Sequence, residues 1–131
     1  MTPRAVVEGF WDTMADNDFA AASFCLTEDF EGYWPQSREL IRGRAAFSAV
    51  NTAYPAAGPW LFDVQNIVAD ANMVATNVAI TDGDIEARAV TFHWVRGVLI
   101  HRQLEYWPDP YPAPAWRAGY VQIIDRPDFP D

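Results

Sequence analysis

The stretch from Arg88 to Trp116, RAVTFHWVRGVLIHRQLEYWPDPYPAPAW, constrains the fold more than any other part of the chain. Two alternating runs meet at Arg96-Gly97-Val98. Alternation on both sides of a tight glycine-containing turn reads as a β-hairpin. The second run sets one carboxylate, Glu105, among large rings and then stops in prolines. Prolines lack a backbone donor, so residues 108–116 should leave the sheet as an extended arm. Trp116, Tyr120, Val121, Ile123 and Ile124 are too apolar for a free tail, which predicts an arm that folds back or packs on a partner subunit. Residues 125–131, DRPDFPD, read as loosely ordered.

Upstream the pattern is helical, then alternating. Thr2-Pro3 is a helix start, with a capping hydroxyl before a proline at the first helical position. Val6, Val7, Phe10, Trp11 and Met14 recur at helical spacing. Asp16-Asn17-Asp18 breaks that helix and starts a short one from Phe19 to Leu26. An extended piece from Phe30 to Trp34 precedes the loop PQSRELIRGR. A third helix spans Arg44 to Tyr54 and stops at Pro55. Strands are expected at Trp60–Ala69, with a bulge near Asn66-Ile67-Val68, and at Met73–Thr81, Ile85–Arg96 and Leu99–Trp107. Helices first and a meander of long strands after them make one α+β domain, residues 1–124, with its helices on one face of the sheet.

Two-residue turns at Asp82-Gly83 and Gly97-Val98 would put Asn77, Arg88, Val90, Phe92, Trp94, His101, Gln103 and Glu105 on one face. Val78, Ile80, Ile85, Ala87, Ala89, Val95, Ile100, Leu104 and Tyr106 would take the other. The first face mixes rings with convergent polar groups, as ligand pockets do. Trp11, Met14, Trp34, Tyr54 and Trp60 are expected to wall the cavity from the helix side. The chain has six tryptophans, more than a domain of 131 residues needs for packing alone.

Composition excludes several classes of chemistry. The net charge of −9 argues against nucleic acid, whose phosphates require clustered cations. All nine cations are arginine, so a Schiff-base lysine and a P-loop lysine are both ruled out. Cys25 is the only cysteine and sits in an apolar helical stretch, where it reads as a small buried hydrophobe. His93 and His101 fall on opposite faces of the expected pairing, so no shared metal is expected. No apolar run reaches the ~18 residues that cross a bilayer, and no secretory pattern opens the chain. The expectation is a soluble cytoplasmic protein that works on a small apolar or aromatic molecule without cofactor or metal.

Three segments carry a family resemblance: VVEGFWDTMADNDF, WPQSRELIRGRAAFSAVNTAYP and VRGVLIHRQLEYWPDP. Together they resemble the SnoaL-like proteins of the nuclear transport factor 2-like superfamily, over roughly Val6 to Trp116. EYWPDPYPAPAWRA is similar to a signature of one bacterial branch. The resemblance implies a cone-shaped α+β barrel of cystatin-like type. In it a curved antiparallel sheet wraps N-terminal helices around an apolar cavity, often as a homodimer through the sheet. In the cyclase and limonene epoxide hydrolase types the last strand supplies a pocket aspartate; the matching position here is Glu105, with pocket-facing Gln103 two before it. The epoxide hydrolase type also carries an Arg and an Asp two residues apart on an earlier strand. The comparable stretch here, ATNVAI, has neither, which argues against epoxide hydrolysis.

Two readings stay open. In one, Glu105 moves a proton next to a carbonyl in a polyketide cyclase-like or isomerase-like reaction, with Gln103, Asn77 or His101 orienting the oxygen. Burial among rings would have to raise this carboxyl from ~4.3 toward ~6–7 for that work, while Arg88 alongside would lower it by ~1–3 units. In the other, the domain is a non-catalytic dimeric binding module.

Overall fold

The computed structural model describes residues 1–129; Pro130 and Asp131, part of the expected loose tail, lie outside the described residues. Thr2 accepts the Ala5 N–H and Pro3 opens helix α1 (Pro3–Ala15), which buries Val6, Val7, Phe10, Trp11 and Met14. Asp18 caps the short α2 (Phe19–Ser23), which ends three residues before its expected limit. Strands β1 (Leu26–Trp34) and β2 (Glu39–Arg42) pair through the segment expected to be a loop. Helix α3 (Gly43–Ala53) stops before Pro55, and β3 (Leu61–Asp70), β4 (Met73–Thr81), β5 (Glu86–Arg96) and β6 (Leu99–Tyr106) follow as a meander.

The six strands form one curved, unclosed sheet in the order β2-β1-β6-β5-β4-β3. All neighbours are antiparallel except β1 and β6, which run parallel. The helices lie on the concave side, where Phe10, Phe30, Leu26, Ile100, Val74 and Val78 form the innermost core. No helix of the described residues is long and apolar enough to cross a membrane.

Two register details decide which side chains face inward. The β4–β5 turn uses four residues, because Thr81 pairs with Glu86, so the register lies two residues from the expected one. An even shift leaves the faces unchanged. The β5–β6 turn at Gly97-Val98 pairs Arg96 with Leu99 as expected, and Gly97 adopts the positive φ of 66° that such a turn requires. Two residues on, the pairing slips. Val95 faces Ile100 but Trp94 faces Arg102, so His101 is an extra residue, a bulge. Beyond it Thr91 opposes Glu105 and His93 opposes Gln103. The expected pairings of Phe92 with Gln103 and Val90 with Glu105 are therefore corrected: Val90, Phe92 and Trp94 pair with Tyr106, Leu104 and Arg102 on the convex face.

Candidate functional site

Between the helices and the concave sheet lies a cavity of about 250 Å³. Phe10, Trp11, Met14 and Phe19 bound it from α1 and α2, Phe47, Asn51 and Tyr54 from α3 and its end, and Trp34, Ile41, Phe62 and Ile80 from the strands. Trp60 is placed by Asn17, a residue with φ of 60° after α1. Its side chain accepts the Trp60 N–H at 2.7 Å and donates to the Trp60 carbonyl at 2.8 Å. Pro108, Asp109 and Pro110 of the proline arm reach the same cavity.

Glu105 is the carboxylate of this wall. The Trp34 indole donates to Oε1 at 3.0 Å and the Thr91 hydroxyl to Oε2 at 2.6 Å. Trp107 stands edge-on to Trp34, with centroids 6.2 Å apart. Burial pushes the Glu105 carboxyl above the usual carboxylate range, and the bonds from Thr91 and Trp34 oppose that rise without cancelling it. Among the described residues no cation pairs with it: Arg88 donates instead to Asn77 at 2.6 Å and Gln65 at 2.8 Å.

Of the residues singled out in the sequence, Trp11, Met14, Trp34, Tyr54, Trp60, Gln103 and Glu105 line the cavity. Arg88 reaches its rim with an engaged guanidinium. Asn77, Val90, Phe92 and Trp94 do not line it, because the bulge assigns their face to the outside. His101 also leaves the site: it is the bulge residue itself, and its Nδ1 is buried without a partner.

Three inward groups escaped the sequence reading. Thr91 and His93 are fully buried on β5, and Thr76 nearly so on β4. His93 stacks edge-on against Phe10 and Trp11 at 6.0 and 6.1 Å, and this burial pushes its imidazole down to about 3. The signal was the alternation Thr91, His93, Val95, which points inward once one residue is removed from the pairing beyond the turn. Among the described residues no three His, Cys, Asp or Glu side chains gather as metal ligands do.

The chain belongs to the SnoaL-like family, whose domain model matches residues 7–103. This is the nuclear transport factor 2-like fold, and solved structures agree. One, from Kribbella flavida DSM 17836 and provisionally named a ketosteroid isomerase, is 31% identical over 95% of this chain and 90% of its own, with a TM-score of 0.86. A nuclear transport factor 2-like protein of unknown function from Burkholderia xenovorans LB400 is 30% identical over 93% of this chain and 94% of its own, with a TM-score of 0.75. A structure from Shewanella denitrificans OS-217, provisionally named a SnoaL-like polyketide cyclase, is 12% identical over 81% of this chain and 90% of its own, with a TM-score of 0.68, and speaks for the fold alone. No curated protein matches the chain.

Proposed function

We propose that the protein is a cofactor-independent acid–base catalyst of cyclase or isomerase type acting on a small, largely apolar carbonyl compound. The observation that carries this reading is the Glu105 carboxylate, facing an apolar cavity with no cation beside it and held above its ordinary range by burial. A carboxylate so placed is a stronger base than one in water, which suits removal of a proton next to a carbonyl. Returning that proton elsewhere is an isomerisation; closing the carbanion onto a second carbonyl is a cyclisation. The relative from Kribbella flavida carries an isomerase name, which agrees in class. The cavity of about 250 Å³ falls below the ~300–1,000 Å³ of most ligand sites and favours a guest of one or two rings over a larger polycycle.

A non-catalytic binding module is the second reading. It is favoured by the donors on Glu105: Trp34 and Thr91 each occupy one of its two oxygens, as they would around a structural carboxylate. Deuterium exchange separates the two. In heavy water, the wild-type protein is expected to label cyclic aryl ketones at the carbon next to the carbonyl, and Glu105→Gln to slow this by about 100-fold or more. Equal labelling by both proteins ends the catalytic reading, and retained ketone affinity without labelling in the wild type supports the module.

The convex face supports a homodimer. Phe92, Trp94, Leu104, Tyr33, Tyr106 and Leu40 lie there with no helix over them, and a second copy of the sheet is the covering this reading assigns.

A further inference from the structure

Behind Glu105 lies a buried polar chain that proton transfer by the carboxylate does not use. The Trp11 indole donates to Thr76 Oγ1 at 3.2 Å, Thr76 Oγ1 lies 2.9 Å from His93 Nε2, and His93 Nδ1 lies 3.0 Å from the carboxamide nitrogen of Gln103, whose two ends a half-turn exchanges. The chain runs through α1, β4, β5 and β6 and ends on a residue that lines the cavity two positions before Glu105. Its members are 0–6% exposed, so bulk water does not complete its bonds.

The direction of the chain follows from counting protons. An indole nitrogen only donates, so Thr76 Oγ1 accepts from Trp11. The Thr76 hydroxyl then has one proton to give, and among the described residues its only acceptor is His93 Nε2. An Nε2 that accepts is bare, and the single proton of the neutral ring sits on Nδ1. Burial keeps the imidazole neutral until about pH 3. An Nδ1–H needs an acceptor, and the end of a carboxamide that accepts is its oxygen. With the amide nitrogen toward His93 instead, the ring proton would move to Nε2 and the Thr76 hydroxyl would be left an unpaired buried donor, which folded proteins avoid. The two ends of a carboxamide have nearly the same shape, so a half-turn settles the matter without moving a neighbour.

We infer that the Trp11–Thr76–His93 chain holds Gln103 with its carbonyl toward His93 and its NH2 group toward the cavity, which makes Gln103 a specificity-determining donor to an oxygen of the guest. The inference rests on the cavity being a ligand site, as proposed above. One wall then offers an acceptor at Glu105 and a donor at Gln103, roughly 7 Å apart along the strand. That pair fits a carbonyl compound with an acidic C–H nearby. It selects for a carbonyl oxygen, and not for a hydroxyl proton, at the Gln103 end.

Two measurements on the full chain test this. Long-range proton–nitrogen NMR on histidine-labelled protein, with His101→Gln to assign the rings, reads the His93 tautomer without any ligand. A protonated Nδ1 and bare Nε2 are expected; a protonated Nε2, or a mixture, overturns the orientation. Titration with 2-tetralone and 2-tetralol reads the cavity side. Gln103→Met is expected to weaken the ketone roughly 3–10-fold, and a loss confined to the alcohol, or no loss with either probe, overturns the inference. Binding of neither probe by the wild type counts against the cavity as a ketone site, and the tautomer still decides the orientation of Gln103.

Discussion

Glu105, half-buried in the cavity wall, and His93, fully buried, are ionisable groups that act on stability in opposite directions as pH changes. The Glu105 carboxyl is raised above 4.5 in the native state, so between that value and its folded one the native state binds more proton than the unfolded chain. Stability from this group is present at low pH and lost as pH rises through the window. Glu105→Gln is therefore expected to gain on the wild type as pH rises from about 4 to about 8, read as diverging urea midpoints. His93 works the other way. Its ring is neutral when folded down to about 3, whereas the unfolded ring takes a proton near 6.5. Its contribution is full above 6.5 and falls by roughly 1.4 kcal/mol per pH unit below that, so His93→Asn should show a shallower acid limb in the same denaturation series. His93 was hard to assign from sequence because its face depends on a residue eight positions away, the bulge at His101. Glu105 and Gln103 lie beyond that bulge, and the same single insertion that sends Val90, Phe92 and Trp94 outward sets Thr91 and His93 opposite them.

Helices and long strands were legible because each carries its own period and punctuation. Thr2-Pro3 starts α1, Pro55 stops α3, and alternation runs the length of β4 and β5. Strand β2 was not, since ELIR has four residues and its partner is set by tertiary pairing with β1 rather than by local pattern. The β4–β5 turn shows how a side chain overrides a dipeptide signal. Asp82-Gly83 has the composition of a two-residue turn, yet the Asp82 carboxylate accepts the N–H groups of Asp84 and Ile85 and opens the loop to four residues. It also takes the Ala57 N–H at 2.8 Å, tying the segment after α3, and with it Tyr54 and Trp60, to the hairpin. These backbone donors hold the Asp82 carboxyl below its usual range. Asp82→Ala strands three N–H groups and is expected to lower the urea midpoint, with faster amide exchange at Ala57 and Ile85.

At the scale of the molecule, the sheet has one face filled by helices and an outer face that no helix covers, where Phe92, Trp94, Leu104 and Tyr106 lie beside Asn77, Arg88 and Arg102. If two copies share that open face, sedimentation should give a dimer mass, and Phe92→Glu should shift it to the monomer by setting a charge among Trp94, Leu104 and Tyr106. A wild type that sediments as a monomer at all concentrations ends the dimer proposal. The strand order has a further consequence for how such a chain is made. Strand β6 is the last to be synthesised, yet it sits between β1 and β5 and is what joins the β1–β2 pair to the β3–β5 meander. Until residues 99–106 leave the ribosome the β1–β2 pair and the β3–β5 meander have no strand between them. Glu105 arrives with that same segment, so a product of translation cut short before it lacks the carboxylate of the cavity wall.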